Sequence, residues 1–365
     1  MQSAERISDV TALRTVGETV LRQRTEIAKT LVSMEFARQP QLERRLGDSA
    51  RVISLHDSQF HLSYLAAALF ADNPELFVDA VGWAKVALTR RGWSTDELAA
   101  KLGCLCDALN FELPQESAEI AVGFVRDAIE RLPQLPDEVP SFIDASHRHA
   151  LLARLYLKAL VEGDRKAARL LILSALEDGI SVRDIYLNVL QPVLYEVGRL
   201  WQIDEISVAR EHFCTAATQL IMSLLQRHAD PEQEPDGRTI VTTCVAGDQH
   251  EIGVRMVADF FEMAGWNSYY LGANTPTDSV IDEVIERKAD VLGVSATMIY
   301  HIPAVADLIQ AVRRAPECKQ VKILVGGYPF RRDCRLWLAV GADGEARDAE
   351  AAVDRACTLF ERAAG

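Results

Sequence analysis

The sequence predicts an all-α chain up to about residue 228 and an α/β fold after it, and three observations support this. Apolar residues recur at helical spacing through the first part. Two proline-rich breaks, Arg131–Ser141 and His228–Arg238, interrupt the pattern. After the second break, β-branched apolar runs alternate with amphipathic stretches, which is typical of a doubly wound parallel sheet. The domains predicted from these breaks are residues 1–138, 142–228 and 238–365.

The first domain is predicted to be helical throughout. Asn73 and Pro74 form a good N-cap and first helical position for the stretch that ends near Gly92. Ser94 or Thr95 then opens another helix with acidic residues in its first turn. Successive helices joined by short turns predict a bundle or a globin-like domain.

The second domain consists of amphipathic stretches with glycines at or near their ends. Gly163, Gly179 and Gly198 mark these positions. The stretches begin near Ser146, Asp164, Ser181 and Ser207. Because each has one apolar face to bury, the segment predicts a four-helix bundle.

The third domain alternates strands and helices. The predicted strands are RTIVTTCVA, NSYYLGA, ADVLGVSAT and VKILVGG, with amphipathic helices between them. In such a sheet, ligands bind beyond the carboxyl ends of the strands. Polar or glycine-containing segments occupy three of these ends, at Asp248–Gly253, Ser295–Thr297 and Gly326–Gly327. We therefore expect a ligand site on this rim.

Bulk composition excludes several classes of protein. A net charge of −14, without any basic run, argues against direct nucleic-acid binding. The seven cysteines are scattered and form no CxxC pair, which favours reduced thiols in a cytoplasmic protein. Cys104 and Cys106 point to different sides of a helix, so a shared metal is not expected. The sequence also lacks a signal peptide pattern and a long apolar run, so no membrane association is expected.

His250 is the most informative residue of the rim. An imidazole in a loop can ligate a metal, transfer protons or form an ordinary hydrogen bond. Asp248, two residues earlier, is placed to fix the tautomer of a metal-ligating histidine. Gly253 and the Gly326–Gly327 pair allow close approach of the main chain to a bulky group. Spacing alone leaves the structural and ligand roles of His250 open.

The motif DQHEIG, residues 248–253, resembles the DxHxxG signature of cobalamin-binding domains. Those domains also contain an SxL element and a glycine pair, matched here by Ser295–Thr297 and Gly326–Gly327, with Thr297 in place of leucine. The resemblance implies a cobalamin in the base-off form, with His250 as the lower cobalt ligand and Asp248 behind it. It also implies a set of residues around the nucleotide tail: Ser295, Thr297, Gly326 and Gly327, with Gly341 and Asp343 bordering it.

The preceding helical domain contains Trp201 separated by nine residues from Glu211 and His212. This spacing resembles the cap of the cobalamin-dependent light-sensing transcription regulators. The resemblance implies that Trp201 and Glu211 line the pocket of a 5′-deoxyadenosyl upper ligand, so that the cofactor is adenosylcobalamin. It also implies that His212 captures cobalt after light breaks the Co–C bond. The alternative is that Trp201 belongs to the core while Glu211 and His212 face solvent.

The order of the three domains resembles that of the photocobilins, in which a globin-like bilin-binding domain precedes the cap. This resemblance implies a linear tetrapyrrole such as biliverdin in the first domain, with haem as the rival ligand. Aromatic and imidazole side chains suit such a ligand. The candidates are His56, His61, Tyr64, Trp83 and Trp93, of which His61, at helical spacing from Tyr64, is the first choice.

Three functions follow as expectations. The first is a photoreceptor, not an enzyme, in which photolysis rearranges the cap and signals to an unidentified protein effector. The second is a corrinoid protein that carries methyl groups in a methyltransferase system. The third is an antirepressor that binds a transcription factor. Homo-oligomerisation is compatible with each of them.

Overall fold

The computed structural model describes residues 2–144, 146, 148–229 and 237–361. The chain divides into two compact units. One runs to Glu138 and also includes Met298–Pro303; the other contains Val139–Thr297 and the residues from Ala304 onward. The first unit ends at residue 138 along the chain, and the ranges 142–228 and 238–365 lie in the second unit apart from Met298–Pro303. None of the helices in the described ranges is long and apolar enough to span a bilayer.

The first unit is helical, as predicted. Its helices are α1 (Gln2–Arg22), α2 (Arg24–Arg38), α3 (Gln41–Leu46), α4 (Ala50–Phe70), α5 (Pro74–Arg90), α6 (Thr95–Glu112) and α7 (Gln115–Arg131). Both predicted caps are confirmed. Asn73 accepts a hydrogen bond from the Glu75 amide at 3.0 Å. Ser94 and Glu97 form a reciprocal capping box at the start of α6.

The core of the first unit contains polar groups as well as apolar ones. Leu62, Leu65 and Phe77 are fully buried, and so is the carboxylate of Glu35. Glu35 accepts a hydrogen bond from Ser54 and lies 3.8 Å from the buried ammonium of Lys101. These contacts offset part of the desolvation free energy of burying charged groups in a helical core.

The second unit begins with the helices predicted as a bundle. They are α8 (Ala150–Glu162), α9 (Arg165–Glu177), α10 (Val182–Ile185), α11 (Gln191–Gln202) and α12 (Val208–Leu225). A π-helical turn, Tyr186–Leu190, joins α10 to α11, so the two form one continuous element. The sequence analysis did not predict this turn. Pro192 has no N–H to donate to the carbonyl four residues earlier, which favours the wider turn here.

The sheet is parallel, with strand order β2-β1-β3-β4-β5. The strands are β1 (Thr239–Cys244), β2 (Asn267–Tyr270), β3 (Val291–Ser295), β4 (Lys322–Gly326) and β5 (Gly344–Ala346). The helices of this region are α13 (Ile252–Met263), α14 (Thr277–Glu286), α15 (Ile302–Arg314), α16 (Tyr328–Arg332), α17 (Leu336–Val340) and α18 (Ala349–Glu361). The predicted doubly wound sheet is confirmed. β5 was missed because three residues are too few to show a strand pattern.

The helices before the sheet share one apolar core with the helices α13 and α18 of the α/β region. Tyr156, Tyr186 and Ile221 from the helices belong to the same buried cluster as Met256 and Phe260 from α13. Burying this common surface stabilises the unit. α12 and α13 therefore belong to one packed body.

Candidate functional site

The carboxyl ends of the central strands meet in one row. Cys244 on β1 pairs with Ser295 on β3, which pairs with Gly326 on β4 and then with Ala346 on β5. The predicted meeting of three chain segments at one rim is confirmed by this register. Each segment supplies polar atoms or main chain at the edge where ligands bind in doubly wound sheets.

Asp248 anchors the loop that follows β1. Its side chain is fully buried. Oδ1 accepts hydrogen bonds from the His250 amide at 3.0 Å and from His250 Nδ1 at 2.7 Å. Oδ2 accepts from the Thr297 amide at 2.7 Å, beyond the end of β3. One carboxylate therefore joins the loop of β1 to the loop of β3.

The ring of His250 has a defined tautomer and an accessible nitrogen. Since the Asp248 carboxylate only accepts, the neutral ring carries its proton on Nδ1 and keeps a lone pair on Nε2. The side chain is 56% exposed, so a ligand can reach Nε2. The hydrogen bond to Asp248 raises the pKa of His250, and the charge of Glu211 adds to this effect.

Two of the rim glycines, Gly253 and Gly327, differ in what a side chain would meet at their positions. A Cβ on Gly253 would meet no other atom within 4 Å, so the surface beside this residue is open. Gly327 has φ +106°, and a Cβ there would lie 2.0 Å from the Ala296 carbonyl oxygen. Contact with the main chain of the neighbouring strand therefore suffices to explain Gly327, without any ligand.

Gly341 and Asp343 do not lie on this rim, contrary to their predicted place beside it. Asp343 precedes β5 and accepts hydrogen bonds from the Ile323 amide at 2.7 Å and from Arg313 at 2.5 Å. Ile323 is near the amino end of β4, so these residues lie at the opposite edge of the sheet from Gly326. The prediction failed because the strand after Asp343 was missed.

Glu211 and His212 lie in the first turns of α12. Glu211 Oε1 accepts a hydrogen bond from Thr215 at 2.8 Å, and Oε2 pairs with His212 Nδ1 at 2.6 Å. His212 is 73% exposed. Trp201, at the end of α11, is half-buried against the core that the helices share with α13. Trp201 thus contributes to packing, and the charge of Glu211 contributes to the raised pKa of His250.

Sequence reasoning missed the contacts that join α12 to the start of α13. Glu251 accepts hydrogen bonds from Gln219 on α12 and from Tyr270 on β2. Arg255 donates to the Gln219 carbonyl and to Ser223. The usable signal was the spacing of four between these residues within each helix, which places them on one side.

The predicted pocket residues of the first unit are spread over several environments. His61 donates from Nδ1 to the Asp57 carbonyl at 2.8 Å, while Nε2 is buried with no hydrogen-bond partner among the described residues. Burial lowers the pKa of His61, and Lys101 lowers it further. Tyr64 contacts Tyr300 of the same unit edge to face, with ring centroids 5.2 Å apart.

Of the other three predicted residues, His56 and Trp83 are exposed and Trp93 is half-buried. His56 packs edge to face on Phe60, with centroids 4.7 Å apart. Trp93 lies under the guanidinium of Arg45 at 4.8 Å, and Trp83 is 42% exposed. A cation–π contact is a sufficient structural role for Trp93.

Comparison with known proteins gives the family of the chain. Two B12 binding domain models match it, one over residues 152–226 and the other over residues 238–354. Dimethylamine corrinoid protein 3 of Methanosarcina mazei is 32% identical over 171 residues, covering 46% of this chain and 96% of that protein. Dimethylamine corrinoid protein 1 of Methanosarcina acetivorans is 29% identical over 171 residues, covering 46% of this chain and 76% of that protein.

The chain belongs to the cobalamin-binding corrinoid protein family. A solved structure, the monomethylamine corrinoid protein of Methanosarcina barkeri, shares the fold at 22% identity, with a TM-score of 0.51. The match covers 59% of this chain and 99% of that one. Neither matched family range extends into residues 1–138, which form most of the first unit. The expected corrinoid cofactor is thus supported for the second unit.

Proposed function

We propose that the second unit holds a cobalamin at the carboxyl edge of its sheet, with His250 as the lower cobalt ligand. The observation that carries this proposal is the bond between His250 Nδ1 and the fully buried Asp248. It holds the proton on Nδ1, orients the ring and makes Nε2 a better donor to a metal. The corrin ring supplies the equatorial nitrogens itself, so one imidazole completes the lower side.

The residues at the rim fit such a group. Gly253 leaves open space beside the histidine loop. Ser295, Thr297, Gly326 and Gly327 lie at adjacent strand ends, where we place the nucleotide tail. Thr297 donates its main-chain N–H to Asp248. Any residue at this position supplies that donor, so threonine in place of the leucine of the family pattern does not change this hydrogen bond. Gly341 and Asp343 have no part in this arrangement.

We favour a role as a corrinoid protein that carries a methyl group for a methyltransferase. The sequence similarity to dimethylamine corrinoid proteins of Methanosarcina supports this candidate. In this role a bound cobalamin supplies a Co–C bond whose methyl group can be transferred. His250 would hold the cofactor, and α12, which is hydrogen-bonded to Glu251 and Arg255 beside the histidine loop, would lie next to it. A partner methyltransferase is then the expected protein partner.

A second candidate is an adenosylcobalamin light sensor, and Glu211 is the observation that favours it. Its carboxylate is held by Thr215 and His212, and its charge acts on His250. An acidic group and an exposed imidazole therefore lie together at the start of α12, where the charge of Glu211 raises the pKa of His250. In this candidate Trp201 and Glu211 would line the pocket of the adenosyl group, and His212 would be the residue that binds cobalt after photolysis.

The light-sensor candidate also includes the first unit and the output. A globin-like domain holding biliverdin, or haem as the rival, would place His61 and Tyr64 near the chromophore. In this candidate residues 1–138 form the chromophore domain, 142–228 the cap and 238–365 the cobalamin-binding domain, and only the first of these functions is specific to the light sensor. In this candidate the signal passes to an effector protein. If the chain is an antirepressor, that effector is a transcription factor, and the chain itself can form a homo-oligomer.

Illumination of the loaded full-length protein separates the two roles. The protein is loaded in the dark with methylcobalamin or adenosylcobalamin and then exposed to green light, with absorption spectra and sedimentation recorded before and after. The carrier role predicts binding of both forms and sedimentation unchanged by light. The sensor role predicts a light-dependent change in sedimentation for adenosylcobalamin that His212→Ala weakens. Failure to bind either form would refute both roles.

A separate addition of biliverdin tests the first unit. A red-shifted, protein-bound absorption band that His61→Ala weakens would support the bilin site. The same titration with haem identifies the rival ligand, and binding of neither would refute a tetrapyrrole site. Asp107→Asn offers a matched surface control in this unit, since Asp107 pairs with Arg38 at 2.6 Å and is exposed.

A further inference from the structure

Glu251 lies between the proposed lower ligand and the first residue of α13. Its two carboxylate oxygens bind different elements of the second unit. Oε1 accepts a hydrogen bond from Gln219 Nε2 on α12 at 2.5 Å, and Oε2 accepts from the Tyr270 hydroxyl on β2 at 2.8 Å. Hydrogen bonds to an ionised acceptor are stronger than those between neutral groups. Glu251 therefore ties the His250 loop to a cap helix and to the sheet.

Arg255 adds a second attachment one helical turn later. Nη1 donates to the Gln219 carbonyl at 3.2 Å, and Nη2 donates to Ser223 Oγ at 2.7 Å. Glu251 and Arg255 thus grip the same turn of α12 from the same side of α13. We call Glu251, Arg255, Gln219 and Ser223 the rim clamp.

The gripped turn belongs to a polar stripe on α12. Glu211, Thr215, Gln219 and Ser223 follow one another at intervals of four residues, so they lie along one side of the helix. Thr215 supports Glu211 at one end of the stripe, and the clamp holds the other. A shift of α12 at Gln219 therefore moves Glu211 relative to His250.

We propose that Glu251 is a positioning residue, which with Arg255 holds α12 so that its Glu211 end covers the upper face of the cobalamin. This inference rests on the proposed cobalamin site. Within the DQHEIG motif, Glu251 thereby has a role that differs from those of Asp248, His250 and Gly253. Glu251 acts through Gln219 and does not touch cobalt.

The chain contains a matched contact between the same helical segments. Gln226, in the turn directly after α12, donates to Glu262 near the end of α13 at 3.1 Å. This pair lies about three turns along α13 from Glu251, away from the His250 loop. Glu262→Ala removes one interhelical hydrogen bond without touching the clamp, so it controls for general loosening.

The test is the rate at which azide replaces water on the upper side of protein-bound aquocobalamin, measured by stopped-flow absorption with full-length protein. A helix that covers the cobalt slows this entry. Glu251→Ala is expected to accelerate replacement about tenfold. This is the rate change expected if the variant loses the net free energy of one hydrogen bond that holds α12 in place. Glu251→Gln keeps an acceptor for Tyr270 and a partner for Gln219, so it is expected to restore most of the slow rate. Glu262→Ala is expected to leave the rate unchanged.

The spectrum of each variant separates this inference from the proposed function. Glu251→Ala must retain the axial nitrogen of His250, since Asp248 is intact. Wild-type protein that does not take up aquocobalamin would refute the cobalamin site itself. Uptake with equal azide rates in wild type and Glu251→Ala, or equal acceleration by Glu262→Ala, would overturn the positioning role alone. If Glu251→Ala does not fold, Gln219→Ala replaces it in the test. This variant removes the hydrogen bond to Glu251 from the α12 side, and it should accelerate azide entry in the same way.

Discussion

His250 in the second unit and His61 in the first are both bonded through Nδ1, but their surroundings give them opposite properties. His250 donates to a buried carboxylate, is half exposed and has a raised pKa. His61 donates to a main-chain carbonyl of its own helix, and burial lowers its pKa. The partner of Nδ1 and the exposure of Nε2 together distinguish a candidate ligand from a buried polar group.

The largest predicted effect on stability concerns the buried carboxylate Asp259. Asp259 on α13 accepts a hydrogen bond from the Tyr186 hydroxyl at 2.8 Å, and burial raises its pKa to about 6. Tyr186 and Arg255 favour its ionised form, and Glu262 disfavours it. Since the folded state binds this proton more tightly than the unfolded state, the carboxylate lowers stability as the pH rises from about 4 to about 6.

Asp259→Asn should remove this effect while keeping an acceptor for Tyr186. We expect the variant to be more stable than wild type at pH 7 by up to about 3 kcal/mol, since each pKa unit corresponds to about 1.4 kcal/mol. The difference should vanish near pH 4. Urea unfolding of both proteins across this range measures it, and a pH-independent difference would show that burial does not control this group.

Asp248→Asn makes the partner of His250 neutral, like the partner of His61. We expect cobalamin to bind about 10- to 100-fold more weakly, because the ring loses its charged partner and part of its basicity. Isothermal titration of full-length protein with aquocobalamin measures the change. Asp259→Asn serves as the control, since it alters a buried carboxylate of the same unit away from the rim, and equal affinities for wild type and Asp248→Asn would contradict the assignment.

His61→Gln should have the smallest effect and should leave cobalamin affinity unchanged. Because the pKa of His61 is lower in the folded state, its protonation in the unfolded state destabilises the first unit as the pH falls below about 6.5. The variant should therefore lose less stability on acidification, by no more than about 1.4 kcal/mol per pH unit. Thermal unfolding at pH 7 and pH 5 tests this, and a steeper acid loss in the variant would be the opposite result.

The parts of the site that are close in sequence were predictable from the sequence. Asp248 and His250 are two residues apart, and their loop follows a clear strand pattern, so the alternation of strands and helices placed them on the correct edge. The fold of the second unit followed from the same pattern. Its common core with the preceding helices did not, since Tyr186 and Phe260 are far apart in the chain.

The parts that failed depend on pairing or on short elements. β5 is too short to detect, so Asp343 was assigned to the wrong edge of the sheet. The clamp between Glu251 and Gln219 joins residues on different elements, and each looks like an ordinary polar residue of an amphipathic pattern. Periodicity reports which face of a helix is polar, but it does not report which residue of another helix that face meets.

Electron paramagnetic resonance of the cobalt(II) form of the protein-bound cofactor tests the central claim most directly. With His250 as the lower ligand, wild-type protein should show coupling of cobalt to one axial nitrogen, and labelling histidine with ¹⁵N should change the splitting. The coupling should persist in His212→Ala and disappear in His250→Ala. A splitting that does not respond to ¹⁵N-histidine, or that survives in His250→Ala, would contradict the assignment of His250 as the cobalt ligand.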